Sequence, residues 1–78
     1  MKNFDPNELT RREKEVITEL SRGLYYKEIA SKIFISQETV KKHVRSIYRK
    51  MGVRNRMEAA LKFQQVSTSY MLADGGGE

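Results

Sequence analysis

Apolar residues recur along this chain at helical spacing, and the alternation expected of a strand does not hold over any stretch. Thr10-Arg11-Arg12-Glu13 opens the first pattern as a capping box, in which the Thr10 hydroxyl serves the Glu13 amide and the Glu13 carboxylate reaches back to the Thr10 amide. Val16, Ile17 and Leu20 then share one face, and Gly23 is a natural left-handed stop, so the first helix is expected over about 11–22. Ile29, Ala30 and Ile33 form a second, shorter stripe over about 26–33. Its start is weakly signalled, because Tyr25 and Tyr26 are poor N-caps. Phe34-Ile35-Ser36 breaks the pattern, and Ser36 caps a third helix over about 37–51 that Gly52 ends.

The third helix is two-sided. At about 100° per residue, Val40, Val44, Ile47 and Met51 fall within about 60° of one another. Lys41, Arg45, Arg49 and Lys42 spread over roughly 100° to 200° from Val40, on the opposite side. At 1.5 Å per residue the helix is about 22 Å long, enough to lie across a major groove.

Asn55 can cap a fourth helix over about 55–65 with Glu58 at its third position. The wheel here has two apolar arcs. Met57, Ala60 and Leu61 lie together with Gln64 beside them, while Ala59, Phe63 and Val66 lie roughly opposite. One arc can pack on the domain, which leaves the other as a surface for self-association. The alternative is that the C-terminal residues partly cover both arcs. Beyond Val66 the pattern fades, a short helical extension over 66–73 is one reading of an ambiguous stretch, and Asp74-Gly-Gly-Gly-Glu78 reads as disordered. The organisation expected is an N-terminal arm over 1–8, one helical domain over 9–66 and a flexible tail over 67–78.

Size and composition narrow the function. The chain has 78 residues, room for one small domain, and no cysteine for disulfides or thiolate metal sites. No run approaches the roughly 20 apolar residues of a membrane span. A nucleophile with a paired base, metal-ligand spacing and a glycine loop for phosphate are all missing, which argues against an enzyme. His43 is a lone histidine beside the core stripe, and Tyr48 sits at the core edge. No metal or cofactor is expected, nor a small-molecule ligand or a membrane.

Charge changes the picture more. The net charge is +5, but residues 1–35 carry +1, residues 36–62 carry +6 and residues 63–78 carry −2. A local basic surface suits a polyanion. Two helices joined by a three- or four-residue break, the second basic on its outer face, make a helix-turn-helix. In that arrangement Lys and Arg can donate to guanine O6 and N7, and the Ser36 end offers amides to a phosphate. Periodicity alone leaves open a module that docks an acidic protein, or a dimerisation domain whose basic face is incidental.

The residues themselves go further. Leu9-Thr10-Arg11-Arg12-Glu13-Lys14-Glu15-Val16, Gly23-Leu24, Lys27-Glu28-Ile29-Ala30, Ile35-Ser36, Thr39-Val40-Lys41-Lys42-His43-Val44, Lys50-Met51-Gly52-Val53 and Asn55-Arg56 with Glu58-Ala59-Ala60 form one ordered series. It resembles the LuxR-type helix-turn-helix domain of the NarL/FixJ response-regulator group over about residues 8–64. The resemblance implies an all-α, four-helix domain that binds double-stranded promoter DNA in the bacterial cytoplasm as a transcriptional regulator. It implies base contacts from Lys41, Lys42 and Arg45, with Lys41 equally suited to phosphate. It implies phosphate contacts from Lys27, Ser36, Thr39, Arg49, Arg54 and Arg56. It also implies a homodimer through the fourth helix, at Met57, Ala60, Leu61 and Gln64, and RNA polymerase is a further candidate partner. Tyr25 and Tyr26 depart from the small polar residues usual in the family, and the Tyr26 hydroxyl could replace a missing phosphate contact. Met51 stands where Leu is common, a mild exchange. The resemblance fits either a stand-alone regulator or the output domain of a two-component response regulator. The start at Met1 leans toward the former.

Overall fold

The computed structural model describes the backbone of residues 4–75 and the side chains of residues 4–65. Four helices follow in order: α1 (Arg11–Ser21), α2 (Tyr26–Ile33), α3 (Gln37–Met51) and α4 (Arg56–Gly75). A 3-10 turn at Pro6–Glu8 precedes them, and the Asp5 side chain accepts its Asn7 amide at 2.9 Å. Part of the expected arm is therefore folded: Phe4 packs against the core. Residues 1–3 lie outside the described residues.

The caps form much as their residue types dictate. At α1 the Glu13 amide donates to Thr10 Oγ1 at 3.1 Å and the Thr10 amide donates to Glu13 Oε1 at 2.8 Å, completing the capping box. At α3 the Thr39 amide donates to Ser36 Oγ at 3.1 Å. At α4 the Glu58 amide donates to Asn55 Oδ1 at 2.9 Å, and the Glu58 carboxylate accepts the Arg54 amide at 2.8 Å. Only α2 is half-capped: the Tyr25 side chain makes no cap hydrogen bond, and the Glu28 carboxylate takes the Tyr25 amide at 2.7 Å. Gly23 and Gly52 end α1 and α3 at φ of 94° and 70°, the left-handed region that costs glycine least.

The apolar stripes converge. Val16, Ile17 and Leu20 of α1, Ile29 and Ala30 of α2, and Val40, Val44, Ile47 and Met51 of α3 form one buried cluster with Leu9 and Ala59. Helix α1 packs against both α3 and α4, and α2 lies against α3 across the Phe34-Ile35-Ser36 turn.

Helix α4 differs from its expected length. It continues to Gly75 instead of stopping near 65, because neither glycine nor proline interrupts the chain between Arg56 and Asp74. The expected flexible tail over 67–78 is thus helical backbone as far as residue 75, and residues 76–78 lie outside the described residues. The structure also selects between the two arcs of α4. Ala59 is fully buried and Phe63 packs on the core, whereas Met57 and Leu61 remain 73% and 55% exposed.

Candidate nucleic-acid interface

The eight basic residues between 36 and 62 divide into two groups once the helices pack. Lys41, Lys42, Arg45, Arg49 and Arg54 are exposed, whereas Lys50, Arg56 and Lys62 are half-buried, each turned to an acceptor inside the domain. Lys50 Nζ lies 2.8 Å from Glu13 Oε1. Lys62 Nζ donates to the Met51 carbonyl at 2.7 Å, capping the negative end of α3. Arg56 donates to the carbonyls of Leu20, at 3.3 Å, and Leu24, where α1 ends, and its guanidinium stands 5.7 Å from the centre of the Tyr25 ring. Lys50 and Arg56 hold α3 and α4 to α1 and Lys62 holds α4 to α3, and the outward five form the candidate interface.

The interface has its centre on the outer face of α3. Lys42 and Arg45 make no ion pair among the described residues, so their charges stay open to a ligand. Lys41 reaches Glu38 Oε2 at 3.8 Å, a loose surface pair worth little in water. Ser36 and Thr39 sit at the start of α3, with their hydroxyls 2.8 Å apart. Arg49 and Arg54 extend the exposed basic surface along α3 and past its end, and Lys27 is exposed in the first turn of α2. The structure thus groups Lys41, Lys42, Arg45, Thr39 and Arg49 on α3 with Ser36 as its cap, and Lys27 of α2 and Arg54 beyond α3 lie outside that helix.

Two expected phosphate contacts have other surroundings. The Arg56 guanidinium is engaged with backbone carbonyls, as above, because the open end of α1 offers acceptors that the two N–H groups of Nη2 reach. Tyr26 is half-buried and packs against the core beside Tyr48. Burial and then Tyr26 raise the Tyr48 phenol above its ordinary pKa, against a smaller lowering by Arg56. The exposed ring in this region is Tyr25.

Glu13 has a role that its capping motif does not reveal. It is the buried charged residue of the core, 4% exposed. Besides the Thr10 amide it accepts the Ser46 hydroxyl at 2.5 Å and the Lys50 ammonium at 2.8 Å, both from α3. Burial alone would raise its pKa, but those hydrogen bonds and the Lys50 charge outweigh it and hold the carboxyl at about 2. Helix α3 is therefore fixed in rotation by an ion pair on one flank as well as by its apolar stripe. The signal was present in the sequence: Glu13 falls three and four residues before Val16 and Ile17, on the buried face.

This arrangement has relatives. The family model of bacterial regulatory proteins, luxR family, matches residues 7–63. The chain belongs to the LuxR family. Its helix-turn-helix domain is 52% identical over 54 residues to the uncharacterized transcriptional regulatory protein YhcZ of Bacillus subtilis, a match covering 69% of this chain and 25% of that protein. It is 49% identical over 57 residues to the nitrate/nitrite response regulator protein NarP of Escherichia coli, covering 73% of this chain and 26% of the relative. Among solved structures, the response regulator ChrA of a heme-sensing two-component system superposes with a TM-score of 0.72 at 42% identity. That match covers 76% of this chain and 29% of ChrA. This LuxR-family chain spans about a quarter of the length of the relatives it matches.

Proposed function

We propose that this LuxR-family domain binds double-stranded promoter DNA as a sequence-specific transcriptional regulator, with α3 in the major groove. The observation that carries the reading is the sorting of charge: five exposed cations on and beside α3, while three neighbouring ones are consumed inside the fold. An incidental basic face would not be expected to separate in this way. Lys42 and Arg45, unpaired on the outer face, are assigned to base edges, and Lys41 to a base or a phosphate. Lys27, Ser36, Thr39, Arg49 and Arg54 are assigned to phosphates, which fix register without reading sequence. The domain acts as a homodimer through the exposed arc of α4, where Met57 and Leu61 leave apolar surface uncovered, with Ala60 and Gln64 beside them. The response-regulator names of its relatives support a place in two-component control of transcription.

Selection of bound duplexes from a random pool, followed by salt titration on the selected site, tests the proposal. A selected sequence with two-fold symmetry, bound with an affinity that falls steeply as salt rises, is the expected result. Equal affinity for every duplex would remove the sequence-specific reading and leave a general polyanion binder.

A further inference from the structure

A second surface lies away from the outer face of α3, where the last residue of α2 meets α1. Phe34, the first residue of the helix-turn-helix turn, holds φ of 61° and ψ of 45°, a left-handed conformation that an aromatic residue adopts at a cost. It is also 93% exposed. The ring therefore contributes almost no burial to the fold, although glycine or asparagine would meet the backbone requirement more cheaply. Beside it, Ile33 closes a recess of about 340 Å³ with Arg11, Lys14, Glu15, Thr18 and Glu19 of α1.

The charges of this recess are unequal in availability. Glu15 is paired with Arg12 at 2.7 Å, and Glu19 with Lys32 at 2.9 Å. Arg11 and Lys14 are exposed and make no ion pair among the described residues. What remains for a ligand is two cations and an apolar residue at the rim, followed in the chain by the exposed Phe34, whose backbone is left-handed. We propose that this face docks an acidic protein segment that carries an apolar anchor. The anchor packs on Phe34 and Ile33, and its carboxylates meet Arg11 and Lys14. A DNA backbone would use the two cations but has no use for the ring, which favours a protein partner.

The test is a titration of the isotope-labelled chain with a synthetic acidic peptide of about 15 residues, rich in Glu and Asp around a central Leu-Phe pair. Backbone amide shifts at Arg11, Lys14, Thr18 and Phe34 that saturate with peptide are expected. Phe34→Gly, which suits the left-handed turn and keeps the fold, should weaken that binding on the order of tenfold while leaving duplex affinity unchanged. The same peptide with Ser in place of Leu-Phe should lose those shifts. The proposal is overturned by shifts confined to Lys42 and Arg45, by equal binding of the anchor-free peptide, by an unaltered Phe34→Gly variant, or by no response at millimolar peptide. It is likewise overturned if duplex DNA alone produces the shifts at Arg11 and Lys14. None of these outcomes bears on sequence-specific duplex binding, which the selection experiment measures separately.

Discussion

Lys50 of α3 reaches across to Glu13 of α1, ammonium to carboxylate, at 2.8 Å. The sequence places Lys50 in the basic segment that marks the interface, yet the fold uses it as a strut. One flank of α3 is thereby tied to α1 while another presents Lys42 and Arg45 outward.

Acid should expose this tie. Glu13 is held at about 2, below its ordinary value of 4.5, so the unfolded chain binds its proton more readily than the folded one. Its contribution is present in full above about pH 4.5 and is lost as pH falls toward 2. A shift of that size corresponds to about 3 kcal/mol. Urea unfolding of the wild type across that range should show the loss, and Glu13→Gln should flatten it. At pH 7 Glu13→Gln should cost about 2–4 kcal/mol, since a half-buried ammonium loses its anion, and removing both charges should cost less than removing either alone. Additive losses in that cycle would mean the pair is incidental.

Charge that points inward should not register in DNA binding. Arg56→Gln loses the Nη2 bonds to the Leu20 and Leu24 carbonyls and the stack on Tyr25, and about 2 kcal/mol of stability is expected to go with them. The slope of log affinity against log salt should not change. Arg54→Ala, at an exposed cation, should leave stability alone and shallow that slope by about one ion. If Arg56→Gln shallowed the slope as Arg54→Ala does, the inward assignment would fail.

Base reading and phosphate gripping should separate by mutation. Lys42→Ala is expected to relax preference at one base-pair position by about 1–3 kcal/mol, and Lys27→Ala to weaken all sequences alike. Competition between single-base variants of the selected site distinguishes them. Sequence-blind losses from both would collapse the two roles into one.

The exposed arc of α4 predicts a specific failure. Leu61→Asp introduces charge where the side chain is 55% exposed, so the monomer should keep its melting temperature within a few degrees. Sedimentation equilibrium should then show loss of self-association, and a duplex with two half-sites should be bound no better than one. Ala59→Asp, at a fully buried position, should unfold the domain. A Leu61→Asp protein that dimerises as before would move the interface elsewhere.

Much of this was determined by sequence alone. Helix positions, caps at Thr10, Ser36 and Asn55, stops at Gly23 and Gly52, and the core stripe of α3 follow from local rules, because each depends on residues within about one turn of each other. The length of α4 beyond residue 65 was only weakly legible, since residues 66–73 mix Ser and Thr with apolar side chains and carry no clear helical stripe.

Tertiary structure decided what local rules cannot reach: which of two apolar arcs on α4 is buried, and which cations face outward. Lys50, Arg56 and Lys62 look like Lys42 and Arg45 in composition and charge. Their partners are a carboxylate 37 residues away and carbonyls at the ends of α1 and α3, acceptors that come within reach only when the helices pack. A cation near an open helix end or a buried acid is drawn inward by a low-dielectric attraction, and one facing water keeps its charge for a ligand.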